Sequence, residues 1–412
     1  MKKGFFKLKT PKDVYKIIET FPELGNEIVN IKDSLNRMCF KDIYSDVDLP
    51  NFNRSTVDGY AIKAKDSFGA SESTPVFFKI IGEIKMGEKA DYTLNDGEAI
   101  RISTGGMLPQ GSDAIVMLEY TNELDKNTLE ARKSVSPLEN VIQVGDDIKK
   151  GQLVIKKGFK VRPQDIGMLA AIGKKFISVY KRPKVAIIST GDELSEIDKE
   201  IPLGKIRDVN SYTLSSLIKE VGAESICFGI VKDKFLDLKK KCEEALNKAD
   251  IILISGGSSV GTMDITLDVI NSFPYSEILV HGISVSPGKP TILAKVGNKA
   301  VWGLPGHVVS AMIVFLIFIK SMIKKIGGYY KYKYISEKST FATLTKNIAK
   351  AQGREDYTRV KLFKGEDGII YAEPILGKSG LISSMVKADG IIRIDMNSEG
   401  IEAGEKVEVI LF

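Results

Sequence analysis

From Arg182 to about Ile326 the chain repeats one unit, a short β-branched run that halts at glycine or a polar cluster and then gives way to a helical-period segment. KVAIIST ends at Gly191, NSYTLSSLIKEVG reads as a helix stopped by Gly222, and AESICFGIV as a strand. KFLDLKKKCEEALNKA is a second helix and DIILISGG another buried strand. VHGISVSPGKP and AVWGLPG supply two further strands, followed by an apolar helix after His307. Strands apolar on both faces must be covered on both faces. The repetition therefore predicts a doubly wound, mainly parallel α/β sheet with helices on either side.

That unit is too small to use all 412 residues, so further domains are required. Between Thr74 and about Lys133 short apolar alternations such as VFFKIIGEI and AIVMLEYT alternate with Gly, Asp and Pro, which predicts a mostly β module. RPQDIGMLAAIG carries Pro163 at a first helical position, Asp165 in the first turn and Gly173 just past the end, the punctuation of a short helix. We expect residues 1–50 and 141–180 to form one elongated linking domain, with a β domain over 51–140 inserted between them. The α/β domain takes 181–328, and a tail rich in short strands, 329–412, reads as a small β-barrel.

Several function classes are disfavoured. The longest apolar run, Val308 to Ile319, is about half of the roughly 20 residues a membrane span needs. MKKGFFKLKT turns polar too soon for a secretory signal. Cys39, Cys227 and Cys242 are odd in number and far apart, which suits reduced thiols in a cytoplasmic protein. A net charge of +6 fits an enzyme of anionic small molecules without demanding nucleic acid. The basic, aromatic stretch 324–333 reads as a solvated connector, since no nucleic-acid motif accompanies it.

In open α/β sheets ligands bind beyond the carboxyl ends of the strands, and three loops fall there. STGDEL places Asp192 and Glu193 directly after a strand. SGGSSVGTMD, 255–264, offers Gly256, Gly257, Ser258, Ser259 and Gly261 for close backbone approach and Asp264 at its end. SPGKP and GLPGH bring Lys289, Pro305, Gly306 and His307. Singly each has an ordinary reading: Asp264 as a helix cap, Asp192 and Glu193 as a first turn, Lys289 as a solvated lysine, His307 as a packing residue. Convergence on one rim is what gives them weight. Outside this region, Asp58 sits in a polar turn before a strand, and Thr104 on a Gly-rich loop between strands. In the tail, Arg354, Arg359, Ser379 and Lys387 are anion-binding candidates that singly read as surface decoration.

DGYAI (58–62), STGDEL (189–194), GGSSVGTMD (256–264), PGKP (287–290) and GLPGH (303–307) in that order resemble the MoeA family of molybdenum insertases, which includes the E domain of gephyrin. The similarity runs from about residue 11 to the end. The resemblance implies an elongated segment-swapped domain, an inserted β domain, a molybdopterin-binding α/β domain and a C-terminal β-barrel. It also implies a homodimer whose cleft pairs the α/β domain of one subunit with the inserted domain of the other. The implied reaction is insertion of molybdate or tungstate into adenylylated molybdopterin, with cleavage of the phosphoanhydride and release of AMP. Asp58, Thr104, Glu193 and Asp264 would be catalytic. Mg²⁺ would fall to Asp58, Glu193 and Asp264, with Asp192 less favoured, and Thr104, Lys289, Arg354 and Ser379 would hold oxyanions. A molybdopterin adenylyltransferase is the implied upstream partner.

Two positions depart from the family pattern: Ser286 stands where KPGKP has its first lysine, and His307-Val308 where LPGNPVS has Asn-Pro. Two other readings stay open from sequence, a non-catalytic molybdopterin-binding scaffold and a molybdopterin adenylyltransferase. The inserted DGYAI and TGGMLPQGSD loops speak against the second.

Overall fold

Six strands form the central sheet in the order Glu224–Val231, Lys184–Thr190, Ile251–Gly256, Lys299–Leu304, Ile292–Val296, Ser276–His281. The first four are parallel, and only Ile292–Val296 runs against them, antiparallel to both its neighbours. The computed structural model describes residues 8–256, 260–329 and 338–412, with backbone alone for 260–264. Both faces of the sheet are covered, as continuous apolar strands require. Val185, Ile187, Leu253 and Trp302 meet the helices Asn210–Glu220 and Val308–Val314 on one side. Ala186, Ile188, Ile252 and Ile254 meet the helix Phe235–Lys248 on the other.

One strand differs from expectation. VHGISVSPGKP contains the end of Ser276–His281 and the two-residue strand Val285–Ser286, and the run Ile292–Val296 that follows it is a strand of its own. It turns back into Lys299–Leu304 through the two residues Gly297 and Asn298, with φ +57 at Gly297, where such a turn favours glycine. The apolar run after His307 is a buried helix, continuing through a π-turn at Phe315–Ile319 and on to Ile326. Among the described residues no helix is long and apolar enough to cross a membrane.

Two antiparallel ribbons join the two flanking segments, and a third ties the start of the inserted segment to the second of them. Asn26–Asn30 pairs with Phe176–Tyr180, Ile43–Tyr44 with Leu153–Ile155, and Arg54–Ser55 with Val141–Ile142. Cys39, Ile148, Val161 and Leu169 fill the small core between them. The helix Pro163–Ala171 starts as its punctuation predicts: Asp165 accepts from Arg162 N at 2.8 Å, and Gly173 closes with φ +76. The first helix, Pro11–Glu19, goes elsewhere. Its stripe of Val14 and Ile18 needs a broader apolar surface than a ribbon offers, and it is buried in the α/β core with Phe318 and Met322.

The inserted segment is a six-stranded sheet ordered Ala114–Met117, Gly59–Ile62, Glu98–Ile102, Val76–Ile84, Thr128–Ala131, Thr121–Asp125. In the tail, Glu355–Lys364, Ile370–Pro374, Ser339–Leu344, Lys406–Leu411 and Gly390–Ile394 close on one another as a barrel. Val285–Ser286, from the α/β domain, adds to this barrel in parallel beside Glu355–Asp356.

Candidate active site

Strand register puts the predicted loops on one rim. Thr190 pairs with Val231 and with Gly256, and Ser255 pairs with Leu304, so these strands end level. Ile292 pairs with Gly303, which brings the antiparallel strand's start, and the Lys289 loop before it, to the same end. Glycine is obligatory twice here. Gly256 has φ +148, and a Cβ on it would stand 1.8 Å from Thr190 O. Gly288 has φ +120, and its Cβ would meet Val314 Cγ2 at 2.7 Å, so the lysine loop lies flat on the helix after His307.

Asp192, Glu193, Lys289 and His307 present exposed side chains on this rim, while Pro305 is buried beneath it. The Glu193 carboxylate folds back over Gly191, whose absent Cβ would lie 2.8 Å from both its oxygens. Thr190 Oγ1 donates to Asp233 at 2.6 Å, fixing the end of that strand. The expectations placed on Gly257, Ser258 and Ser259 lie outside the described residues, as does the side chain of Asp264. Gly261 falls in the first turn of the helix Val260–Asn271.

Behind the rim is a buried polar network that the sequence reading missed. Asn210, at the start of its helix, donates through Nδ2 to Ser255 Oγ at 2.6 Å and to the Gly306 carbonyl at 2.9 Å. Its Oδ1 is buried without a hydrogen-bond partner. Ser189 and Ser211 share a 2.8 Å hydrogen bond, and buried Asp208 accepts from the Ser211 N–H at 3.1 Å and from its hydroxyl. The signal was Asp-x-x-Ser at 208–211, a carboxylate three residues before the N–H it caps.

The barrel closes one side of the rim. His307 Nδ1 lies 2.8 Å from Ser379 Oγ, and the Ser379 carbonyl accepts from Val309 N at 3.1 Å. Two predicted ligand contacts therefore meet each other, and Ser379 takes up one of the N–H groups at the helix start that an anion would otherwise use. Arg359 sets this loop: Nη2 donates to Gly377 O at 3.0 Å and Nη1 to Ser384 Oγ at 2.9 Å. It is 8% exposed, burial lowers its pKa, and its Nε has no partner. Arg354 and Lys387 are exposed, and Arg354 enters a hydrogen bond through its carbonyl, from Lys350 Nζ at 2.6 Å. Of the two arginines, Arg359 is the one built into the seam.

Asp58 and Thr104 form the second group. Asp58 Oδ1 accepts from the Thr104 N–H at 2.7 Å and its hydroxyl at 3.1 Å, and both residues are exposed. Ser55 N donates to Gly106 O and Gly105 N to Ser55 O, which lashes the two loops together. Neither residue hydrogen-bonds to the α/β rim among the described residues of one chain. Nor do the described residues include a group of three or more His, Cys, Asp or Glu side chains able to hold a metal.

Family models match along nearly the whole chain: the MoeA N-terminal region (domain I and II) over 10–173, a probable molybdopterin binding domain over 186–325, and the MoeA C-terminal region (domain IV) over 342–412. A putative molybdopterin biosynthesis protein of Methanocaldococcus jannaschii is 39% identical over 392 residues, covering 93% of this chain and 91% of that one. The chain belongs to the MoeA family. The molybdopterin molybdenumtransferase of Haemophilus influenzae is 31% identical over 396 residues, 96% of each chain. The molybdopterin biosynthesis MoeA protein of Pyrococcus horikoshii superposes with a TM-score of 0.82 at 32% identity, over 98% of this chain and 100% of that one. MoeA membership agrees with the four bodies seen here, including the α/β sheet and the closed barrel.

Proposed function

We propose that this MoeA-family chain is a molybdenum insertase, a transferase that places molybdate or tungstate into adenylylated molybdopterin with release of AMP. What carries the reading is the single rim, where exposed carboxylates, a lysine, a histidine and glycine-cleared backbone converge at the carboxyl ends of parallel strands. A pyrophosphate needs such clearance and such a cation, and transfer at phosphorus is catalysed mainly by positioning and charge neutralisation.

Lys289 meets ligand oxygens, Asn210 and Ser255 hold the Gly306 turn, and Gly256 lets the nucleotide approach the sheet. Glu193, Asp264 and Asp58, with Asp192 less favoured, suit Mg²⁺, a hard cation that takes one or two carboxylates with phosphate oxygens and waters. When bound, the ion would neutralise charge on the phosphoanhydride. Asp264, and Asp58 with Thr104 from the inserted domain, complete the catalytic set across a homodimer cleft. Support for the dimer comes from the ribbons, where Ile28, Phe176, Tyr44 and Leu153 are large apolar side chains left exposed among the described residues. A molybdopterin adenylyltransferase is the upstream partner.

The test is to supply adenylylated molybdopterin and Mg²⁺, add molybdate or tungstate, and follow AMP and metal-loaded cofactor. AMP release that depends on the oxyanion and falls at least a hundredfold in Asp58→Ala supports the reading. Tight nucleotide binding without turnover for either oxyanion overturns it in favour of a scaffold.

A further inference from the structure

We propose that His307 is a ligand-contacting residue that offers its Nε2–H to a tetrahedral oxyanion at the rim, with Ser379 holding the ring in place. The proposal rests on the functional reading above and names one more contact within it.

The backbone around His307 is pinned on both sides. Gly306 O accepts from Asn210 Nδ2 at 2.9 Å, and Val309 N donates to Ser379 O at 3.1 Å. The ring is pinned as well, with Nδ1 2.8 Å from Ser379 Oγ. Ser379 belongs to a loop that buried Arg359 fixes through Gly377 O and Ser384 Oγ. Three domain segments thus converge to orient one imidazole, yet the side chain remains exposed. Nε2 is its remaining polar atom, and no described group bonds it. When Ser379 donates its hydroxyl proton to Nδ1, the ring proton sits on Nε2; in the imidazolium both nitrogens donate. Both states suit an anion. Because Ser379 O already occupies Val309 N, the side chain rather than that backbone N–H makes the contact at this turn. Lys289 is exposed on the adjoining loop, which the Ile292–Gly303 pairing brings to the same end. The ligand class is a tetrahedral oxyanion, either the phosphate of the nucleotide or the free molybdate.

Two substitutions separate the ring nitrogens. Asparagine carries its amide nitrogen near the place of Nδ1 and can keep the Ser379 bond, whereas glutamine reaches the place of Nε2. Full-length wild type, His307→Asn and His307→Gln are titrated by calorimetry with AMP and, separately, with molybdate, and their thermal midpoints are compared. The expected result is that His307→Asn binds at least one anion about tenfold more weakly with an unchanged midpoint, while His307→Gln stays within about threefold of wild type. Loss confined to AMP identifies the phosphate, and loss confined to molybdate identifies the oxyanion substrate. Wild-type affinity in His307→Asn overturns the proposal. So does equal weakening in both variants, since Nε2 would then not be the group read. Wild type that binds neither anion sinks the functional reading, and the proposal with it.

Discussion

Asp58 spends one carboxylate oxygen, Oδ1, on both the N–H and the hydroxyl of Thr104. Oδ2 makes no hydrogen bond among the described residues, and the residue is exposed. Thr104→Ala removes the weaker of these bonds and keeps the N–H. We expect it to slow AMP release by about tenfold with the circular dichroism spectrum unchanged, less than the loss in Asp58→Ala. Another carboxylate reports on stability. Asp165 accepts from the Arg162 N–H and guanidinium, and those bonds hold its pKa below the usual 3.8. A depressed carboxyl contributes stability that is present above the unfolded-state pKa, near 3.9, and is lost as pH falls through the lower folded value. Asp165→Asn should therefore cost about 1 kcal/mol in urea unfolding at pH 7, and the gap to wild type should shrink below about pH 4. An undiminished gap at pH 3 would assign the cost to packing instead. The thiols give a third check. Cys227 is exposed, whereas burial pushes Cys39 up to about 11 and Cys242 to about 12. Iodoacetamide at pH 8 should add one adduct to the native protein, at Cys227, and a rapid second adduct would contradict the burial.

Elements separate what periodicity reveals from what it hides. The parallel strands, the helix Pro163–Ala171 and the helix after His307 were legible, because each is signalled locally by a β-branched run, a cap or a glycine stop. The strand Ile292–Val296 was not, since proline and glycine just before it merge with the turn chemistry of SPGKP. The π-turn at Phe315–Ile319 has no local signature at all. It is met from 302 residues away, where Tyr15 donates its hydroxyl to Ile317 O at 2.6 Å. Tyr15→Phe leaves that buried carbonyl short of a partner. It should cost about 1–2 kcal/mol and speed hydrogen exchange in the peptide spanning 315–319, with helix 308–314 less affected. The site was legible in a similar pattern. Loops at strand ends announced Asp192, Glu193, Lys289 and His307, but the network of Ser189, Asp208, Asn210, Ser211 and Ser255 joins two strands to one helix start, and only its Asp208–Ser211 cap is local in sequence. Of the two arginines, the family resemblance singled out Arg354 as an oxyanion holder, and no local signal in the sequence favoured Arg359. Arg359 instead lies on the outer face of the barrel, opposite its core-facing neighbour Val360, and is buried against Gly377 and Ser384.

On the scale of the molecule, the two chemical groups belong to different bodies, and among the described residues of one chain no hydrogen bond joins them. If the cleft pairs two copies, an Asp58→Ala protein and a Lys289→Ala protein should complement each other. Random exchange gives half heterodimers, each with one intact cleft, so mixing the two inactive variants should restore about a quarter of wild-type turnover. No recovery after exchange, verified by a mass difference between subunits, would place each site within one chain. The exposed apolar ribbon residues add a separate expectation: Ile28→Glu should shift the protein toward monomer in light scattering and leave the fold of each domain intact.

Val285–Ser286 leaves the α/β domain to lie along a barrel strand, only three residues before Lys289. The barrel is therefore stitched to the lysine loop rather than hung from the chain's end. Pulled from Phe412, the chain would transmit load through the barrel into that stitch, so a mechanical trace should show the rim yielding with the barrel and not after it. For the same reason the last domain cannot be exchanged for another family member's as a cassette unless residues 285–286 travel with it.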